Sequence, residues 1–514
     1  MAFDGLSLQL TELPGAVRAW RAQCAAAELL DVCHAVKELG GRLAALWGSD
    51  ERDRGAGFAL HLALASPEGM LWLRCALPAD DLQYPDLAPI FPPAQRMQRA
   101  ARDLLGIDAE AADRRPWLRH AAWQEGDYPL RRDADGAKAF AQGGPEYAFV
   151  SVAGDGVHEI PVGPVHAGTI EPGHFRFSIV GEKVLRLEEH LGYTHKGVEK
   201  RFQGMAPAEG ARLAGRISGD STVAYAWAYC MAAESIAGAA PPPRALMLRA
   251  LMLERERIAN HLGDLGYLGN DGGLAFGLAQ FMRLKEEVLR ANDRLFGHRY
   301  LMDRIVPGGV ACDPGRAALD AIGAECAQLE REVRLLKDIY DDHAGLQDRF
   351  LTCGRLTPNT AGKLGVIGLA GRASDQAWDL RAQSGHAPYD ALGVRMKTHK
   401  NGDVAARVIM RFEEIFESLR LIRALVARIA PGEIALPLPP LPAGGAGLGW
   451  VEGWRGETVL ALEAGADGRI RSCHAHDPSW QNWPALAFAV YNNIVPDFPL
   501  INKSFNLSYS GCDL

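Results

Sequence analysis

At 514 residues the chain is long enough for more than one hydrophobic core, so two or three domains are expected. Its 48% hydrophobic and 23% charged residues, net charge of −8 and pI near 6.0 are those of an ordinary globular protein and argue against a nucleic-acid-binding surface. No run approaches the roughly 20 apolar residues of a membrane-spanning helix, and "MAFDGLSLQLTELPG" has neither the basic nor the apolar region of a secretory signal. The expected place is therefore the cytoplasm, unless partners hold the chain at a membrane.

Residues 1–135 read as a small α/β unit. "AVRAWRAQCAAAELLDVCHAVKELGGRLAALWG" reads as helix-rich and ends at glycine, whereas "GFALHLALAS" and "GMLWLRCALP" alternate or run apolar as paired strands do. "PPAQRMQRAARDLLGI" is a helix opened by prolines. Residues 136–160, glycine-rich and weakly periodic, read as a linker. From 161 to 514 the pattern becomes helical. "HFRFSIVGEKVLRLEEHLGYTHKG" predicts two short strands around Gly181-Glu182. Apolar residues at three- and four-residue spacing then predict long helices over 245–266, 278–297, 315–341 and 403–429. "GWVEGWRGETVLALEAGADGRIRSCHAHDPSW" predicts a hairpin turning at Gly465 to Gly468. The fold class is α+β, a small α/β domain followed by a helix bundle with small peripheral sheets. The nine cysteines include no Cys-x-x-Cys pair, so buried reduced thiols are expected and neither a zinc nor an iron–sulfur framework.

"GRISGDSTVAYA", residues 215–226, has a serine-x-x-serine step, Ser218 to Ser221, opening a helix. Cysteines at those two places would form a thiolate clamp for a soft transition metal. Asp220 lies between the serines, and Ser218, Asp220 and Ser221 suit either a hard cation, water or helix N-capping, the last being the commoner use.

"GPVHAGTIEPGHFRFSIVGEKVLRLEEHLGYTHKGVEK", with "LERERIANHLGDLG", "GHRYLMDRIVPGGV", "LGVIGLAGRASD", "GDVAARVIMRFEEIFES" and "VEGWRGE" after it, resembles the large subunit of membrane-bound nickel–iron hydrogenases. It equally resembles the 49-kDa-type subunit of respiratory complex I. "AQRMQRAARDLLGIDAEAADRRPWLRHAAW" resembles, more weakly, the complex I 30-kDa-type subunit. The fusion of the two is the arrangement of formate-hydrogenlyase and hydrogenase-4 large subunits. In the hydrogenases two Cys-x-x-Cys pairs hold nickel and iron. Here the resemblance puts the early pair on Ser218 and Ser221, and the late pair on Ser508 and Gly511, with Cys512 one residue off. Neutral hydroxyls are poor substitutes for thiolates on nickel, so no metal is expected in this chain. The complex I quinone partners are missing too. His166 matches the first histidine of their loop, but Ile170 stands for the second and Gly219 for the tyrosine; His174 is a strand histidine nearby.

What the resemblance leaves for chemistry is Glu199, at the place of a proton-passing glutamate, with His166, Glu171 and His195 as extensions of a polar chain. A plain pair of Glu199 with Lys196, Lys200 or Arg201 is the structural alternative. Glu254, Arg257, Asn260 and His261 on one helix read as a buried network. Arg372, with Asp375, Asp379 and Arg381, resembles a polar cluster near the metal pocket, and Arg455 follows Trp454 where the family has proline. The expected function is a metal-free core subunit of a membrane-anchored oxidoreductase complex, passing electrons to a quinone or similar acceptor; the alternative is an inert scaffold or coupling subunit. Expected partners are a 20-kDa-like iron–sulfur subunit, a ferredoxin-like subunit carrying 4Fe–4S clusters, and antiporter-like and other membrane subunits. These would hold the chain on the cytoplasmic face of the inner membrane.

Overall fold

Trp20, Ala22 and Cys24 are buried at every second position, the period a strand requires. The computed structural model describes residues 6, 8–120, 123–138, 147–166, 170–383 and 386–514. In it the expected long N-terminal helix is divided. After β1 (Thr11–Leu13) come β2 (Ala19–Cys24), a shorter α1 (Leu29–Glu38) and β3 (Arg42–Asp50). The alanines that suggested helix serve a strand instead, because Leu43 to Leu46 are buried against neighbours in the sheet. The two predicted strands are β4 (Phe58–Ser66) and β5 (Gly69–Leu77). Together these five make a sheet in the order β1-β2-β5-β4-β3, parallel only between β2 and β5. A ribbon of β6 (Gln83–Tyr84) and β7 (Asp108–Ala109) flanks α2 (Ala94–Leu105), which packs on β3.

Residues 139–146 of the expected linker lie outside the described residues, and its end is already strand. β8 (Val157–Val162), β9 (His174–Val180) and β10 (Lys183–His190) form an antiparallel sheet, with Gly181-Glu182 at the predicted turn. The helices α3 (Val198–Phe202), α4 (Pro207–Ala214), α5 (Thr222–Ala237), α6 (Pro243–Asp271) and α7 (Ala275–Phe296) follow. After a ribbon of β11 (Ile305–Val306) and β12 (Gly309–Val310) come α8 (Arg316–Asp342), α9 (Ala344–Phe350), α10 (Pro358–Leu364), α11 (Gly368–Arg372), α12 (Leu380–Gln383) and α13 (Val404–Arg428). The four predicted long helices are α6, α7, α8 and α13. The predicted hairpin gains a strand: β13 (Ala446–Glu452), β14 (Glu457–Ala464) and β15 (Ile470–His476) form a three-stranded sheet. Its extra turn, 453–456, presents Trp454 and Arg455. α14 (Ser479–Val490), α15 (Phe498–Phe505) and α16 (Tyr509–Asp513) close the chain's path.

α5 is buried from Thr222 to Ile236 and α6 along most of its length. A helix buried all round needs partners for its polar groups, and α6 has them. Arg249 holds Glu234 (2.6 Å), His261 meets Glu414 (2.9 Å) and Arg411 holds Asp264 (2.8 Å). β13 lies close against α5 because Gly447 and Gly449 have no side chain; a Cβ at either would be driven into the α5 backbone at Ala232 or Ala228. The five-stranded sheet docks on β14 and β15. Arg471 joins Asp53 (2.7 Å), Glu463 (2.7 Å) and the Asp50 carbonyl (3.0 Å), while the Trp47 ring stacks on His474 at 4.6 Å.

Candidate functional site

Three parts of the fold converge on the serine step: the loop before α5, the turn between β13 and β14, and the segment from Asn506 into α16. Ser218 and Ser508, far apart in sequence, face each other with their hydroxyl oxygens 3.0 Å apart. The Gly511 N–H donates to Ser508 Oγ (2.9 Å), and Ser218 Oγ donates to Asp220 Oδ1 (2.9 Å). Because each hydroxyl carries one proton, the Ser218–Ser508 bond is donated by Ser508. A one-way chain of hydrogen bonds thus runs from Gly511 to Asp220. There it meets Arg455, whose Nη1 and Nη2 bind the two Asp220 oxygens at 2.7 and 2.6 Å, the bidentate geometry that makes such pairs strong. Arg455 Nε donates to the Asn506 carbonyl (2.6 Å), and Nη1 also reaches Ser221 Oγ (3.2 Å). The Trp454 indole N–H donates to Ser221 Oγ (3.1 Å) and the Asp220 carbonyl (2.9 Å). Burial pulls the Asp220 carboxyl upward, but Arg455 and the two serines outweigh it and hold it at about 2. At neutral pH this is a fixed ion pair.

The four positions expected to have held metal are therefore together, and the residues present do not fit a nickel–iron group. They offer three hydroxyls and a glycine, with a guanidinium seated among them. Among the described residues no group of three or more His, Cys, Asp or Glu is placed to hold a metal ion. The N-capping expectation is corrected as well. Neither serine nor Asp220 caps α5; the buried carboxylate of Glu256 on α6 accepts the N–H groups of Val223 (2.6 Å) and Ala224 (3.3 Å). Burial pushes the Glu256 carboxyl up to about 8, the two backbone N–H groups opposing it.

Glu199, at the start of α3, is paired with none of Lys196, Lys200 or Arg201. Its carboxylate meets His474 Nδ1 at 2.6 Å, beside a cavity of about 30 Å³ lined by Trp47, His195, His476 and Cys512 among others. Trp47 comes from the first sheet, so this site is built by both parts of the chain. Glu171 holds the backbone N–H groups of Tyr509 (3.2 Å) and Ser510 (3.4 Å) at the start of α16, an anchoring role. His166 and Ile170 are exposed. His195 Nδ1 meets the Asp513 carbonyl (2.6 Å), and His174 Nδ1 the Gly163 carbonyl (3.0 Å). Gly219 is exposed, with open space where a side chain would stand.

Arg372 reaches the serine site through intermediaries: its partner Glu414 meets His261, whose ring lies 6.0 Å from that of Trp454. Arg372 is buried between Glu414 (2.7 Å) and Glu452 (2.8 Å) and joins Asp379, Arg381 and Glu254 in one ionic network; Asp375 has no ion pair there among the described residues. Glu254 also accepts from Tyr389 (2.7 Å) and Ser418 (2.6 Å), so the buried-network expectation for α6 holds in geometry. Sequence reasoning missed His474, Trp47, Glu256 and Asp477. The last two signal only through burial of a carboxylate, and the first two only through the docking of distant strands.

The relatives fit this architecture. The family model for the 30 Kd subunit of respiratory-chain NADH dehydrogenase matches residues 22–139, and that for its 49 Kd subunit matches residues 271–440. Formate hydrogenlyase subunit 5 of Escherichia coli (strain K12) is 29% identical over 483 residues, covering 92% of this chain and 85% of that protein. Hydrogenase-4 component G of the same organism is 30% identical over 482 residues, 92% and 84% of the two chains. The carbon monoxide-induced hydrogenase of Rhodospirillum rubrum is 30% identical over 351 residues, 68% of this chain and 97% of that one. Among the described residues no helix is long and apolar enough to cross a membrane. The chain thus belongs to the complex I-related family of formate hydrogenlyase and hydrogenase-4 large subunits, in which a 30-kDa-type and a 49-kDa-type module are fused.

Proposed function

We propose that this chain is the metal-free core subunit of a membrane-anchored oxidoreductase complex, and that it carries electrons from a partner's iron–sulfur cluster towards a quinone-like acceptor while moving protons. The observation that carries the reading is the Glu199–His474 pair, 2.6 Å apart beside a small cavity at the seam of the two modules. A carboxylate and an imidazole in direct contact exchange a proton readily, and a cavity of this size holds a water that extends the path. Gly219, where the complex I tyrosine would stand, leaves open space at the surface beside Asp220. Partners of the iron–sulfur, ferredoxin-like and antiporter-like types belong to the same proposal, as does a peripheral place on the cytoplasmic face of the inner membrane.

The test is quinone reduction by the intact complex, with electrons supplied through its iron–sulfur partner. Glu199→Gln should lower turnover by about 10²-fold or more, the scale of a lost acid–base group, with assembly unchanged. Normal turnover in that variant removes Glu199 from the mechanism. The second reading, a scaffold or coupling subunit without redox chemistry, is favoured by the Arg455–Asp220 pair, which ties the serine positions to the turn between β13 and β14. That reading expects no quinone turnover and a complex that falls apart without this subunit.

A further inference from the structure

Gly511 is the fourth of the former ligand positions, and its surroundings differ from those of the three serines. A Cβ built there would be driven into Asp477 Oδ2 and would stand 2.9 Å from Ser508 Oγ. Asp477 cannot simply swing aside. It is 1% exposed, Tyr225 donates its hydroxyl to Oδ2 (2.6 Å), and the Ser479 N–H donates to Oδ1 (2.8 Å) at the start of α14. Ser479 in turn accepts the Ser508 N–H (2.9 Å), so α14 and the former ligand loop fix each other.

We infer that Asp477 occupies the place of the fourth ligand side chain. With the Ser218–Ser508 bond and the Arg455–Asp220 pair it forms a protein-built cross-link that fastens residues 506–513 to the start of α5 with no metal. The loss of the clamp is then more than four exchanged side chains. A cysteine at 511 would meet a buried carboxylate held on both oxygens, and a thiolate there would add a second negative charge beside it. The closure also makes no demand on metal supply. Gly511, Ser508, Ser218, Asp220, Arg455 and the Asn506 carbonyl are joined in sequence by contacts of 2.6 to 3.0 Å.

Two measurements on the full chain test this. In the first, melting temperatures are compared for wild type, Gly511→Ala, Asp477→Ala and the double variant. Gly511→Ala should lower Tm by more than 5 °C when Asp477 is present and by less than half as much when residue 477 is alanine. An equal loss in both backgrounds overturns the assignment of Asp477. In the second, which does not depend on any variant folding, wild-type chain grown without nickel and dialysed against a chelator is followed by hydrogen exchange. Residues 506–513 should keep the protection and the chain the Tm of untreated protein. Loss of that protection, recovered by adding nickel or zinc, overturns the metal-free closure.

Discussion

Glu256 holds the first N–H groups of α5 from a neighbouring helix, with its carboxyl raised by burial to about 8, above the ordinary 4.5. Between those two values the folded chain keeps a proton that the unfolded chain has released, so by linkage this group's contribution to stability falls as pH rises from about 4.5 to about 8 and is flat above. Gln at 256 can still accept an N–H but does not titrate. Glu256→Gln should therefore gain in unfolding free energy relative to wild type on going from pH 5 to pH 8, by an amount on the order of a few kcal/mol, and its Tm should rise relative to wild type over the same range. A Tm difference that stays constant over that range would show that Glu256 does not hold its proton. The same scale shows what the sequence could tell. The approach of Ser218 to Ser508 followed from family spacing and is met in space, whereas Ser221 turns to Asp220, Trp454 and Arg455. Arg372 does gather with Asp379 and Arg381 as the resemblance implied, but its partners Glu414 and Glu452 were hidden, because they come from elements far along the chain. His474 was silent, since nothing in "SCHAHD" tells which imidazole will face a carboxylate on α3.

At the scale of elements, the long amphipathic helices were legible because a three- and four-residue apolar period persists over many turns. The first sheet was less so. "RLAALWG" has the alanine and leucine content of a helix, and its tertiary neighbours decide for β3. The turn between β13 and β14 was also hidden within one expected hairpin, and with it the position from which Arg455 reaches the pocket. The α5–β13 contact gives a sharp prediction. Gly449→Ala drives a methyl group into the Ala228 backbone, which cannot yield without moving a fully buried helix. A loss of about 3 kcal/mol or more is expected, at the upper end for overpacking, and chemical denaturation should show it. A neutral outcome would mean that the sheet can slide on α5.

For the whole molecule, the seam between the two modules holds charge and aromatic surface together. Arg471 binds carboxylates from both sides, Asp53 and Glu463, and is 6% exposed; without it Asp53 faces solvent while buried Glu463 keeps Arg21 at 2.6 Å. Arg471→Met should cost about 1.5–3 kcal/mol, the scale of lost hydrogen bonds to charged groups. It should also raise the rate at which limited proteolysis separates the modules; unchanged cleavage would assign the seam's strength to packing alone. The stack of Trp47 on His474 has a different consequence. The ring that touches Glu199 is seated on the other module, so any tilt of the first sheet against the bundle is felt at that carboxylate within one ring's thickness. The seam of the two modules and the candidate proton site are the same place, so a change in how the modules dock would change the surroundings of Glu199.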